Sequence, residues 1–339
     1  MKCPSEDIGD LKNLLVRVIT IGYQKKGESI IIILKNTAND SIIYSIVIDS
    51  FYRHGQHRTI ELLKENHVKN LDMICWTHPD ADHSAGIDMI LQNFGNEQTK
   101  VVAPISFWSD DYAITALRAN QREIEFVNKI KKINQKTKCS FITIGVPTQG
   151  GYSSVYNKTI YAGLDSIAFS LEVLSPFADR LKGQIDSYIA DPQNVSPPTR
   201  NQTSVTLLVT VGPYKLLFGA DLPNEEIELM NEDRISKLIF LKIPHHCSES
   251  SKKMLDYIGP NSGIMACTTV YRSTKPGSEL PHPHILSNYV KRCRVVGSTG
   301  SHPSHNFGAI TADFDFFGNH DCEITLEGSA EIIEPQFNA

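Results

Sequence analysis

Six consecutive residues, His78-Pro79-Asp80-Ala81-Asp82-His83, hold two imidazoles and two carboxylates. Divalent metals take this mixture of imidazole nitrogen and carboxylate oxygen. A polar turn in which one Asp caps a helix accounts for one of the four groups and leaves three without a role. The cluster follows the apolar run Leu71-Asp72-Met73-Ile74-Cys75-Trp76, which reads as a buried strand. It precedes Ser84-Ala85-Gly86 and then Ile87, Ile90, Leu91 and Phe94 at helical spacing. Strand, loop and helix would therefore hold the four groups rigidly. Two further clusters share this placement at a strand end. Asp221 follows the strand at 215–218 through Gly219-Ala220, and Pro244-His245-His246-Cys247-Ser248 follows the strand at 238–243. Taken alone, Asp221 is equally a cap for a helix at 224–231, and one of the two adjacent imidazoles is equally a packed side chain.

The elements around these clusters alternate. Residues 14–21, 30–34 and 42–48 read as strands, the last ending in Asp49-Ser50, and 58–65 reads as a helix. Apolar spacing at Ile114, Leu117, Ile124, Val127, Ile130 and Ile133 predicts a helix over 110–135, while 145–151 and the Tyr-rich stretch after it read as loop. Residues 104–163 are expected to be an insertion beside the site, its helix a solvated lid or packing element. Residues 179–200, with Asp191-Pro192 and Ser196-Pro197-Pro198, read as an exposed mobile loop. Beyond the third cluster, Pro281-His282-Pro283-His284 leads into a helix at 285–290 and a strand at 295–296, and His302 and His305 read as surface residues.

At 339 residues with 41% hydrophobic composition, the chain is long enough to bury a large core. A net charge of −5 and a pI near 6.2 provide no overall basic field, so a nucleic-acid partner would need a local basic surface. Seven cysteines are scattered without a Cys-x-x-Cys pair, which fits reduced thiols rather than a disulfide framework or a thiolate zinc site. The first residues lack an apolar signal core and no apolar run is long enough to span a bilayer, so no membrane association and a cytoplasmic location are expected.

The stretch Thr77-His78-Pro79-Asp80-Ala81-Asp82-His83-Ser84-Ala85-Gly86 resembles the metal-binding signature of the metallo-β-lactamase superfamily, commonly His-x-His-x-Asp-His. Asp80 stands where the second His usually is. That variant, with its Pro after the first His, is similar to the metallo-β-lactamase-like domain of the competence DNA-uptake (ComEC) family. Further likenesses follow in the same order. They are Gly27-Glu28-Ser29-Ile30 with Ile46-Val47-Ile48-Asp49, then Asn201-Gln202-Thr203-Ser204 with Gly219-Ala220-Asp221, then Pro244-His245-His246-Cys247-Ser248, and finally Pro281-His282-Pro283-His284. Cys247 replaces a Gly of the family pattern.

The resemblance implies a single α/β domain over 1–339, built as a four-layer αββα sandwich with two face-to-face sheets. It implies two divalent metal ions, Zn²⁺ or Mn²⁺. His78 and Asp80 would hold one, Asp82, His83 and His245 the other, and Asp221 would bridge them, with Asp49 bracing the loop from behind. His246 becomes a near-site residue and His282 a substrate-contacting or proton-transferring one, which with Asp82 complete the implied catalytic set. Two metals sharing a water suit phosphodiester hydrolysis, so the implied activity is a phosphodiesterase or nuclease acting on DNA, RNA or a nucleotide. Classical lactam hydrolases supply another His to the first metal, and no His lies between His83 and His245, which argues against that activity. The alternatives are hydrolysis of a thioester, lactone or peptide on the same scaffold, and a metal-stabilised regulatory or binding module without turnover.

Overall fold

The run Ile30-Ile31-Ile32-Ile33-Leu34 has no polar position, a pattern a strand tolerates only when both faces are buried. The computed structural model describes residues 7–53, 55–104, 121–272, 279–300, 302, 304–315 and 322–334, and it accounts for the run. Ile30, Ile32 and Leu34 enter a large apolar cluster with Leu207, Val209, Leu216 and Phe240 of a second sheet, whereas Ile31 and Ile33 join Leu63, Ile87, Leu91 and Ile130 from helices on the other side.

The first sheet contains β1 (Leu14–Tyr23), β2 (Glu28–Asn36), β3 (Ser41–Ile48), β4 (Met73–Cys75), β5 (Lys100–Pro104), β6 (Ser140–Ile144), β16 (Phe307–Asp315) and β17 (Cys322–Gly328), in the order β17-β16-β1-β2-β3-β4-β5-β6. The second contains β7 (Ser153–Ala162), β8 (Asp165–Ser175), β9 (Thr206–Val211), β10 (Tyr214–Phe218), β11 (Leu238–Lys242), β12 (Ser262–Thr268), β15 (Cys293–Ser298) and β18 (Glu331–Ile332), in the order β18-β15-β12-β11-β10-β9-β8-β7. A small hairpin, β13 (Tyr271–Arg272) and β14 (Glu279–Leu280), stands apart from both. The helices α1 (Arg58–Glu65), α2 (Ala81–Ser84), α3 (Ile87–Phe94) and α4 (Gln121–Thr137) accompany the first sheet, and α5 (Ala178–Ala190) and α6 (Pro283–Arg292) the second. This is a four-layer αββα sandwich.

Two parallel pairings decide where the chemistry gathers. β3 runs parallel to β4 with Ile48 opposite Cys75, so Asp49 and the 78–83 loop leave the first sheet at one edge. β10 runs parallel to β11 with Phe218 opposite Lys242, so Asp221 and the His245-His246 loop leave the second sheet together. A hydrogen bond from Val205 N–H to Thr77 O (3.0 Å) ties the two edges to each other.

Three expectations change. The stretch after Gly151 is not loop: β7 pairs antiparallel with β8 at the end of the second sheet, and β6 pairs parallel with β5 at the end of the first. The presumed insertion thus supplies an outermost strand to each sheet. Its helix, α4, buries Val127, Ile130 and Ile133 in the cluster that holds Ile87, Ile90 and Leu91, which makes it a packing element; residues 105–120 lie outside the described residues. The expected mobile loop at 179–200 is helix α5 as far as Ala190, anchored by Leu181 and Ile185, with irregular chain only afterwards. Among the described residues six cysteines are free thiols, and no helix is long and apolar enough to cross a membrane.

Candidate metal centre

Asp49 organises the loop between β4 and α2. Its Oδ1 accepts the Thr77 N–H (2.8 Å), and its Oδ2 accepts both the Thr77 hydroxyl (2.6 Å) and His83 Nδ1 (2.7 Å). Because the Thr77 proton is committed to Asp49, the Thr77 oxygen accepts from His78 Nδ1 at 2.9 Å. Both imidazoles are therefore held with Nδ1 protonated and Nε2 turned inward, the arrangement in which an outer partner orients a metal-binding histidine. Trp76 Nε1 donates to Ser84 Oγ (2.9 Å) across the same loop.

The second sheet brings the complementary half. Ala220, His245, His246 and Cys247 all adopt positive φ, from 46° to 64°, a costly conformation for residues with a Cβ that clusters at functional sites. It places Asp221 between the two groups of imidazoles. Asp221 Oδ2 lies 3.8 Å from His78 Nε2 and 3.9 Å from His245 Nε2, while its Oδ1 lies 3.5 Å from His83 Nε2 and 3.7 Å from His246 Nε2. Asp82 Oδ2 is 3.9 Å from His83 Nε2 and 3.6 Å from His246 Nε2, and Asp80 Oδ2 is 3.9 Å from His78 Nε2. Ligands on a tetrahedral ion about 2.0–2.2 Å from each stand roughly 3.3–3.5 Å apart, so these atoms are slightly farther apart than a bound ion would draw them. His78 Nε2, His83 Nε2, His246 Nε2 and Asp221 Oδ1 are buried and have no hydrogen-bond partner. Buried polar atoms are ordinarily satisfied. Four orphans converging from two sheets, all of ligand type, fit divalent metal.

The electrostatics favour ionised carboxylates at Asp82 and Asp221 and neutral imidazoles at His78 and His245, with His83 the exception. Burial alone would push Asp82 and Asp221 up, but the imidazoles around them outweigh it, holding Asp82 at about 2 and Asp221 well below the usual carboxylate range. Burial lowers His78 and His245, keeping both neutral. His83 is raised despite its burial, because Asp221 and Asp49 flank it.

All residues singled out at the three strand ends come together here, with one exchange. The imidazole expected beside Asp82 and His83 is His245, yet His246 stands there, and His245 faces the Asp221 oxygen that His78 also faces. The positive φ at both residues sends the adjacent side chains to opposite sides of Asp221. His245 thereby lies on the side of Asp221 that His78 faces, so the lack of a His between His83 and His245 no longer argues against lactam hydrolysis. A cleft of about 370 Å³ opens above the cluster, walled by Asn201, Ser248, Glu249, Tyr271, Glu279 and His282. His282 sits at the start of α6, and its buried Nδ1 has no partner. His302 and His305 are exposed, as expected for surface residues.

Several contributors escape sequence reasoning. Arg200 pairs with Asp80 Oδ1, leaving Oδ2 to face His78. Ser250 Oγ meets His245 Nδ1 at 2.8 Å, Asn201 Nδ2 approaches His245 Nε2 at 3.4 Å, and the Tyr271 ring stacks on His246 at 5.3 Å. Arg200 adjoins the Asn201-Gln202-Thr203-Ser204 motif, which was the available signal; Tyr271 had none.

The model of the metallo-beta-lactamase superfamily matches residues 44–169, a stretch that includes His78–His83 and stops before Asp221. Three solved structures are similar. A diphosphatase described as a member of the PhnP family shares 11% identity over 72% of this chain and 82% of its own, with a TM-score of 0.32. Zn²⁺-bound PqqB from Methylobacterium extorquens shares 10% over 66% and 71%, with a TM-score of 0.31. A metallo beta lactamase from Hirschia baltica shares 14% over 60% and 66%, with a TM-score of 0.27. No curated protein matches the sequence. The mixed α/β architecture with two large sheets is consistent with the metallo-β-lactamase sandwich.

Proposed function

We propose that this protein is a metal-dependent phosphodiesterase or nuclease with two divalent ions, the reading carried by the division of Asp221 between two half-sites. His78, Asp80, His245 and Asp221 Oδ2 would hold one ion, and Asp82, His83, His246 and Asp221 Oδ1 the other. Bound divalent metal supplies Lewis acidity and lowers the pKa of a coordinated water at such a site. The chain's own residues do the rest. Arg200, beside Asp80 at the site, binds and orients an anionic phosphate oxygen. His282 lines the cleft, where its imidazole would pass a proton to the departing oxygen. Tyr271 forms an aromatic wall against which a base or another flat group can lie.

The carboxylate at position 80 and the order of motifs support a likeness to the DNA-degrading domain of the uptake machinery, and the size of the cleft favours a nucleotide or a short oligonucleotide end. The test is elemental analysis of purified protein followed by a panel of mononucleotide, dinucleotide, oligonucleotide, lactone, thioester and lactam substrates. Two ions per chain with turnover confined to phosphodiesters is the expected result. Turnover of a lactam or thioester with phosphodiesters untouched would overturn it.

A further inference from the structure

Behind His246 lies a second line of buried polar groups, separate from the Asp49 brace. Lys242, the last residue of β11, is fully buried, and its Nζ sits 2.7 Å from Glu28 Oε2 while donating to Ile243 O at 3.1 Å. Glu28, the first residue of β2, is also buried, and its Oε2 accepts the Thr269 hydroxyl at 2.5 Å. The Thr269 oxygen meets His246 Nδ1 at 2.7 Å. A buried ion pair is costly to desolvate and rarely needed for stability alone, since well-packed apolar residues commonly replace such pairs without loss. Here Lys242, Glu28 and Thr269 each have a partner and the line ends on one imidazole.

The direction of the hydrogen bonds is fixed by chemistry. A carboxylate only accepts, so Thr269 gives its single proton to Glu28 and can offer His246 Nδ1 only a lone pair. His246 must then carry its proton on Nδ1. In the neutral ring its Nε2 is then a bare lone pair, 3.6 Å from Asp82 Oδ2 and 3.7 Å from Asp221 Oδ1.

We propose that Thr269, Glu28 and Lys242 are positioning residues that hold His246 in its Nδ1–H tautomer and so present Nε2 to the half-site formed with Asp82, His83 and Asp221. Lys242 anchors the Glu28 carboxylate as the terminal acceptor. The proposal rests on His246 being a metal ligand only for its consequence in metal binding; the tautomer itself is independent of that reading. Without Glu28, the Thr269 hydroxyl is free to turn and donate to Nδ1, which moves the imidazole proton to Nε2 and blocks the ligand position.

The experiment uses the full chain. Nitrogen-15 long-range NMR of metal-free protein reports the His246 tautomer, assigned by its loss in His246→Asn, and zinc titration with elemental analysis reports occupancy. The double variant Glu28→Leu/Lys242→Met replaces the pair with apolar residues, and Thr269→Val and Thr269→Ser remove or keep the relaying hydroxyl. We expect wild type and Thr269→Ser to show Nδ1–H, and both Thr269→Val and the double variant to lose the uniform Nδ1–H signature. Affinity at one of two zinc sites should fall about 10–100-fold, with the melting temperature of the double variant within a few degrees of wild type. An unchanged His246 tautomer and unchanged zinc binding in Thr269→Val overturns the proposal, even should the double variant fail to fold. Wild-type protein that shows the Nδ1–H tautomer but binds no zinc instead counts against the two-metal reading and leaves the relay standing.

Discussion

Asp80 divides its two oxygens between opposite tasks. Oδ1 pairs with Arg200 and Oδ2 faces His78 Nε2 at 3.9 Å. A carboxylate in this position brings oxygen character to the first half-site, which suits Mn²⁺ better than an imidazole would, although raw affinity still follows the order that favours zinc. Metal-stripped protein should therefore hydrolyse a generic phosphodiester faster with Mn²⁺ than with Zn²⁺, and Asp80→His should narrow or reverse the ratio. Steady-state rates with each metal decide it; a zinc optimum that Asp80→His leaves unaltered refutes the hard-site argument. The two imidazoles facing the cleft and the cluster separate by a second measurement. His246→Ala should lose one of two ions by elemental analysis, whereas His282→Ala should retain both and lower kcat by about 10²–10⁴-fold, the usual worth of a general acid. Loss of metal from His282→Ala would make it a ligand rather than a proton donor. The resemblance places His245 beside Asp82, where the structure has His246, because a backbone at φ 48° and 51° turns neighbouring side chains apart in a way no residue spacing records.

The junction of α2 and α3 is the element on which the first cluster depends. Gly86 adopts φ +115° there, and a Cβ at that position would come within 2.6 Å of His57 Nε2 and 2.9 Å of Ser50 Oγ. His57 Nε2 lies 3.2 Å from Gly86 O, and Ser50 N–H donates to His83 O, so the crowding would be passed to the loop that carries His83. Gly86→Ala should cost about 1–3 kcal/mol from the backbone conformation, read by denaturant unfolding, and should lower zinc content as well. A variant with wild-type stability and full zinc would show that the junction is free to adjust. The elements that framed this site were legible because strands buried on both faces advertise themselves as unbroken apolar runs, as at 30–34 and 73–76. Those at the edges were not. β7 lies at the end of its sheet with exposed residues alternating along it, so its sequence Ser153-Ser154-Val155-Tyr156-Asn157-Lys158 carries too little apolar signal to stand out from loop. In α5 only Leu181 and Ile185 are buried, and Gly183 with three acidic or amide neighbours obscures the helical period.

At the scale of the molecule, charge sets what can be held. The chain carries a net −5, and the cleft is walled by Glu249 and Glu279 with Arg200 as the cation beside Asp80. A protein that grips long duplex neutralises many phosphates, and its affinity then falls with a log–log salt slope of about −0.9 for each one. No Lys or Arg is among the described residues that line the cleft, and Arg200 stands beside it through Asp80, so on the proposed reading the molecule should engage one or two phosphates whatever the length of the substrate. The slope of log(kcat/KM) against log salt should therefore be shallower than about −2, and nearly the same for a dinucleotide as for a long single strand. Arg200→Ala should flatten it by roughly one phosphate's worth, and raise KM more than it lowers kcat, because in the proposed role the arginine would hold the substrate anion in both ground and transition states. A slope of −4 or steeper on long nucleic acid, absent on the dinucleotide, would place a basic track elsewhere on the surface and make the substrate a polymer.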